Sequence, residues 1–265
     1  MGATLARLYH LPVWLVGTLV VGGFVVIAMG GLLAFQRGTR KSLRLTEEMN
    51  NDIIFFASAI GVFYSLTVGL ISVGVWTTYS EVQDVVSAEA AAIGALYRDV
   101  SGYPEPDRSG LQQTLRTYTV QIITITWPAQ MQGQIVDDGT RLLTTFQDEL
   151  YRYEPATAGQ QVLHAETLRQ FNELITLRRE RVDAVGSGLP GVMWWVVLFG
   201  AFLTIGATYL LKIQRGVHLV LTGMLALFIG LVVFVIVSLD QPLSGPLAIS
   251  PAPYQLVLDR LIDLR

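Results

Sequence analysis

Four stretches of the chain are each long and apolar enough to cross a bilayer, and this constrains its fold more than any other feature. They lie near residues 12–35, 53–78, 190–211 and 217–239. A helical span needs about 20 mainly apolar residues to cross the hydrocarbon core. Only 15% of residues are charged, where a soluble domain carries about a quarter. The first stretch is longer than the ~7–15-residue apolar core of a signal peptide, and a basic segment follows it instead of a cleavage site. It reads as a retained span. The chain is therefore expected to be an all-α membrane protein, with four transmembrane helices arranged in two pairs.

The pairs are separated by residues 79–189, which hold most of the charge and few long apolar runs. The segment 79–100 is alanine-rich and free of breakers, so it should continue the second span out of the membrane as one long helix. Asp107 suits the N-cap of a helix that ends near Trp127-Pro128. Further helices are expected near 134–153 and 158–186, with Gly186 and Gly188 as stops and Pro190 opening the third span. Four parts result: a first helix pair in 1–78, an extramembrane helical domain in 79–189, a second pair in 190–239, and a tail in 240–265. The tail prolines end the fourth span. Leu243, Leu247, Ile249 and Tyr254 give the tail an apolar side with which to dock on the helical domain.

Within the second span, "SAIGVFYSLTVGLIS" places serines seven residues apart. At about 100° per residue, Ser58, Gly61, Ser65, Gly69 and Ser72 share one narrow stripe. Asn51 extends it at one end, and Trp76 and Tyr79 extend it at the other. The opposite side, with Ile60, Phe63, Leu70 and Ile71, is bulky. Small residues at this spacing permit close helix packing, and hydroxyls in line can equally border a water-filled path. Beyond the span, Glu81, Asp84 and Glu89 read as a solvated or intersubunit face or, for Glu81 and Asp84, as acidic charge at a pore mouth. In "RQFNELITLRRER", Arg169 can pair with Glu173. Asn172, Glu173, Arg178 and Arg179 are candidates for a structural network between helices, or for a charged helix face.

Several function classes are disfavoured. The formal net charge of −3 gives no surface for nucleic acid. There is no cysteine, which removes disulfides and thiolate chemistry. His10, His164 and His218 are scattered, Asp137-Asp138 is isolated, and no HExxH, GxSxG or phosphate loop is present. No cofactor, no metal and no enzymatic activity are expected. The positive-inside rule would put Arg37, Arg40, Lys41, Arg44, Lys212 and Arg215 in the cytoplasm, although Arg178, Arg179 and Arg181 sit on the other side.

Four blocks in order carry a resemblance to a known family. They are "GVFYSLTVGLISVGVWTTYSEVQDVVSAEAAAIGALYRDV", "YPEPDRSGLQQTLRTYTVQIITITWPAQM", "FNELITLRRERVDAVGSGLP" and "LDQPLSGPLAISPAPYQLVLDRL". Together they resemble the bestrophin-like domain family of bacterial membrane proteins, which is distantly similar to the bestrophin ion channels. Trp76-xx-Tyr79 resembles the Trp-xx-Tyr at the base of the bestrophin pore helix. "DQPLSGP" resembles the block after the last bestrophin span. The chain departs from true bestrophins in two ways. Phe63 and Tyr64 are about a turn out of phase with the neck aromatics, and the acidic calcium clasp is absent after Pro242. The resemblance implies a homo-oligomeric channel, by analogy a homopentamer, with the second span lining the pore for permeating ions. It implies a multi-pass protein of the bacterial inner membrane with cytosolic termini, opposite to the charge-based orientation. The competing expectation is a non-conducting membrane-anchored assembly or signalling module whose helical domain binds a partner.

Overall fold

The structure, a computed structural model, describes residues 12–38, 46–136 and 138–263. Arg40, Lys41, Arg44, His10 and Asp137 lie outside the described residues. Those described are mainly helical, with no strand among them. In chain order the helices are α1 Val13–Arg37, α2 Asn50–Val100, α3 Asp107–Gln121, α4 Trp127–Gln130, α5 Asp138–Arg152, α6 Ala158–Asp183, α7 Gly191–Tyr209, α8 Arg215–Leu239 and α9 Ala252–Val257. Four of them, α1, α2, α7 and α8, are long and apolar enough to cross a membrane. The chain is an all-α membrane protein.

Two compact units divide the chain. One comprises residues 1–77, 188–240 and 245–247, and the other 78–187, 241–244 and 248–265.

In the first unit the spans pack through glycines at close approaches. A Cβ on Gly230 of α8 would meet the Val21 Cα at 3.1 Å and the Phe24 Cβ at 3.2 Å, both on α1. One on Gly200 of α7 would run into the Tyr64 ring of α2. Small residues at such points let helix backbones approach where lipid gives no hydrophobic drive to associate. Polar ties close the loop end. The Tyr209 hydroxyl donates to the Ala28 carbonyl at 2.7 Å. The Asn50 side-chain amide donates to the Lys212 carbonyl at 3.0 Å, and its oxygen accepts the Lys212 N–H at 2.9 Å. At the other end of α8, Asp240 accepts the Leu189 N–H at 2.7 Å.

The second unit has an apolar core. Leu143, Phe146 and Leu150 recur along one face of α5, and Phe171 and Leu174 do so on α6. Phe146 and Phe171 stack with ring centroids 5.4 Å apart. A capping box starts α6. The Thr157 hydroxyl accepts the Gln160 N–H, and the Gln160 side chain accepts the Thr157 N–H. Asp107 is the first residue of α3 and not its cap, a position held by Pro106. The helical path ends close to Trp127-Pro128, at Gln130. A π turn over Ile122–Thr126 carries α3 into α4. Proline brings no donor to the ladder, and the π turn ahead of it already interrupts the regular pattern. Tail residues 241–244 and 248–263 belong to this unit. Trp127 donates its indole N–H to the Ile249 carbonyl at 3.2 Å and lies 5.6 Å from the Tyr254 ring.

Candidate functional site

The helix α2 is 51 residues long and contains no proline. One of its faces is packed. Val68, Val75, Val82, Glu89 and Leu96 recur every seven residues and are all buried. Tyr64 and Ile71 flank this line and are half-buried.

The serine stripe lies beside it: Ser65 and Ser72 stand about 60° around the helix from Val68 and Val75, and Gly61, seven residues before Val68, falls on the continuation of the packed line. Ser58, Ser65 and Gly69 are exposed, and Gly61 and Ser72 are half-exposed. A Cβ on Gly61 or Gly69 would meet nothing within 4 Å. These glycines do no close packing within the chain, in contrast to Gly200 and Gly230. Two of the stripe serines turn back on their own helix. Ser65 donates to the Val62 carbonyl at 2.9 Å and Ser72 to the Val68 carbonyl at 2.8 Å. Asn51 and Trp76 are exposed and Tyr79 is half-buried. A third, bulky face is also exposed, including Phe55, Val62, Phe63, Leu66, Leu70 and Val73. The two-sided sequence reading did not separate this face from the packed one.

Glu81 and Asp84 are exposed. Glu89 is not. It is fully buried, which corrects the expectation of a solvated face. Its position continues the heptad line of valines, and that pattern was the available signal. A carboxylate at a core position needs cationic and hydrogen-bonding partners. The partner is Arg181, also buried. Arg181 Nε donates to Glu89 Oε2 at 2.6 Å, and Nη2 donates to Oε1 at 3.1 Å. The third nitrogen, Nη1, donates to Gln130 Oε1 at 2.8 Å. The hydroxyls of Tyr118 and Tyr254 complete the carboxylate, at 3.1 Å and 2.9 Å. Four helices of the unit and its tail meet at one charge pair.

Electrostatics hold these protonation states. Burial pushes the Tyr254 and Tyr118 phenols up, and the Glu89 charge beside them adds to it, so both stay donors. Burial opposes the Arg181 charge, but Glu89 outweighs it and raises the guanidinium further.

The α6 residues singled out in the sequence lie away from this pair. Asn172, Glu173 and Arg179 are exposed in the chain, and Arg178 is half-buried. Arg178 still links two helices, donating to the Thr140 hydroxyl at 2.8 Å. Arg169 pairs with Glu166, one turn back, by two hydrogen bonds. Among the described residues no group of three or more His, Asp or Glu can hold a metal ion.

The family follows from the sequence as a whole. The profile of the bestrophin-like domain matches residues 22–254, and the chain belongs to that family. No curated protein matches it significantly. Among solved structures, a point-mutant crystal structure of a bacterial bestrophin homologue from Klebsiella pneumoniae superposes with a TM-score of 0.68. It is 11% identical and covers 92% of this chain and 97% of that one. A second mutant of that homologue gives a TM-score of 0.62 at 13% identity, covering 92% and 96%. A crystal structure of a membrane protein variant gives 0.66 at 11% identity, covering 92% and 96%. At these identities the likeness is one of fold.

Proposed function

We propose that this protein is a homo-oligomeric ion channel of the bacterial inner membrane, by family analogy a pentamer, with α2 lining the pore. The observation that carries this is the bareness of α2. Only 6% of the residues in its most apolar stretch are buried, against 39% for α8. A span so poorly covered within the chain leaves room for neighbouring copies, and its small stripe offers hydroxyls and backbone where a ring of copies would close around water. Asn51, Ser58, Gly61, Ser65, Gly69 and Ser72 are assigned to the wall, with Trp76 and Tyr79 near its inner constriction. Glu81 and Asp84 are assigned to the mouth, where exposed carboxylates favour cations.

The test is flux in liposomes with cysteine scanning, for which the cysteine-free chain gives a clean background. Ser65→Cys should be blocked by a water-soluble thiol reagent. Leu66→Cys, on the bulky face, should not. Block at Leu66→Cys alone would move the wall to the bulky face. Purified protein that passes no ion would reject conduction and leave the membrane-anchored partner-binding module.

A further inference from the structure

Two cavities lie end to end between α1 and α7. The first, about 390 Å³, is lined by Phe24, Ile27, Gly31, Phe202, Gly206 and Tyr209 among others. The second, about 260 Å³, reaches Leu19, Gly23, Trp194 and Val237, and shares Phe24, Ile27 and Leu198 with the first. They form one groove along α1 from Leu19 to Gly31, a length of about 18 Å at 1.5 Å per residue. That is close to one leaflet, half of the ~30 Å hydrocarbon core.

The groove is apolar and held open. Tyr209 supplies the only side-chain polar atom in the first cavity, and its hydroxyl is already engaged by the Ala28 carbonyl. A Cβ on Gly23 or Gly206 would meet nothing within 4 Å, so these glycines leave space unfilled.

The chain just beyond one end of the groove is basic. Arg37 ends α1 six residues beyond Gly31, about 9 Å along the axis. Lys212 follows Tyr209 by three residues, and Arg215 begins α8. All three are exposed. Lys212 has one acidic neighbour, Glu47, at 3.8 Å. A headgroup at this level sits where the interface begins, with its chain running into the groove.

We infer that the α1–α7 groove binds an acyl chain of an anionic phospholipid, whose headgroup is held by Arg37, Lys212 and Arg215. The site stands on the membrane-spanning unit alone and does not depend on conduction.

Native mass spectrometry of the intact oligomer from bilayers of equal phosphatidylcholine and phosphatidylglycerol tests it. The native chain should retain phosphatidylglycerol over phosphatidylcholine by roughly 30- to 150-fold, as two or three basic side chains near an anionic surface imply. Gly206→Leu should assemble but lose the retained lipid. The double variant Arg37→Gln with Arg215→Gln should keep lipid and lose most of the preference. Equal retention of the two lipids by the native chain overturns the proposal, and so does undiminished lipid in Gly206→Leu. Efficient crosslinking of Ile27→Cys to a neighbouring subunit also overturns it, because a second copy then fills the groove.

Discussion

Arg181 places two guanidinium nitrogens on the two oxygens of Glu89, at 2.6 Å and 3.1 Å, with both side chains out of reach of water. Removing either partner strands the other. Arg181→Met should therefore cost about 3–5 kcal/mol, while Glu89→Leu with Arg181→Met should recover only part of that loss, because the buried Tyr118 and Tyr254 hydroxyls then lose their acceptor. Denaturant unfolding of the full chain in detergent measures both. A double variant no more stable than the single would show that the pair is needed for more than its own neutralisation.

The tail reaches this pair through one oxygen. Tyr254→Phe keeps the ring beside Trp127 and deletes the hydroxyl that Glu89 accepts at 2.9 Å. A hydrogen bond to a charged group is worth about 1.5–3 kcal/mol. Limited proteolysis should cut the tail earlier in Tyr254→Phe than in the native chain, with the spans still protected.

Glycines on α2 and α7 should respond oppositely to the same change. Gly200→Ala drives a methyl into the Tyr64 ring and should cost about 1–3 kcal/mol by overpacking. Gly61→Ala meets nothing in the chain and should gain about 0.5–1 kcal/mol of helix preference. Thermal melting of the two variants separates them. If Gly61→Ala breaks the oligomer, Gly61 packs against a neighbouring copy.

His164 gives the helical domain a pH dependence of definite sign. Its Nδ1 lies 2.7 Å from the Tyr103 hydroxyl, and burial lowers its pKa. The folded chain then prefers neutral histidine, while the unfolded chain takes up a proton near the usual value of about 6.5. The contribution is complete above that value and is lost as pH falls through it to the lowered folded value. Melting temperature should decline over that window in the native chain and flatten in His164→Gln. An unchanged slope would assign the decline to other groups.

Much of this was legible in the sequence because it depends on length and local chemistry. The spans follow from apolar runs, and the unbroken α2 follows from an alanine-rich segment without proline. The charge network did not follow from counting charges. "RQFNELITLRRER" offers several candidates, and the core takes Arg181, seven residues after Leu174 on the buried side of α6. Glu89 is found the same way, seven after Val82 and seven before Leu96. Neither position is marked by its own residue type. Each is marked by the apolar residues a heptad away, and the pairing itself needs the fold. The π turn before Pro128 left no comparable sign.

Asn50 makes a final point. Its amide group donates to and accepts from the backbone of Lys212 at once, imitating one rung of a β-ladder with a side chain. Such mimicry admits few substitutes. Aspartate lacks the donor, leucine lacks both groups, and glutamine carries them one methylene too far out. Tolerance to substitution at this position should thus be set by geometry, although nothing in its exposure to solvent would suggest it.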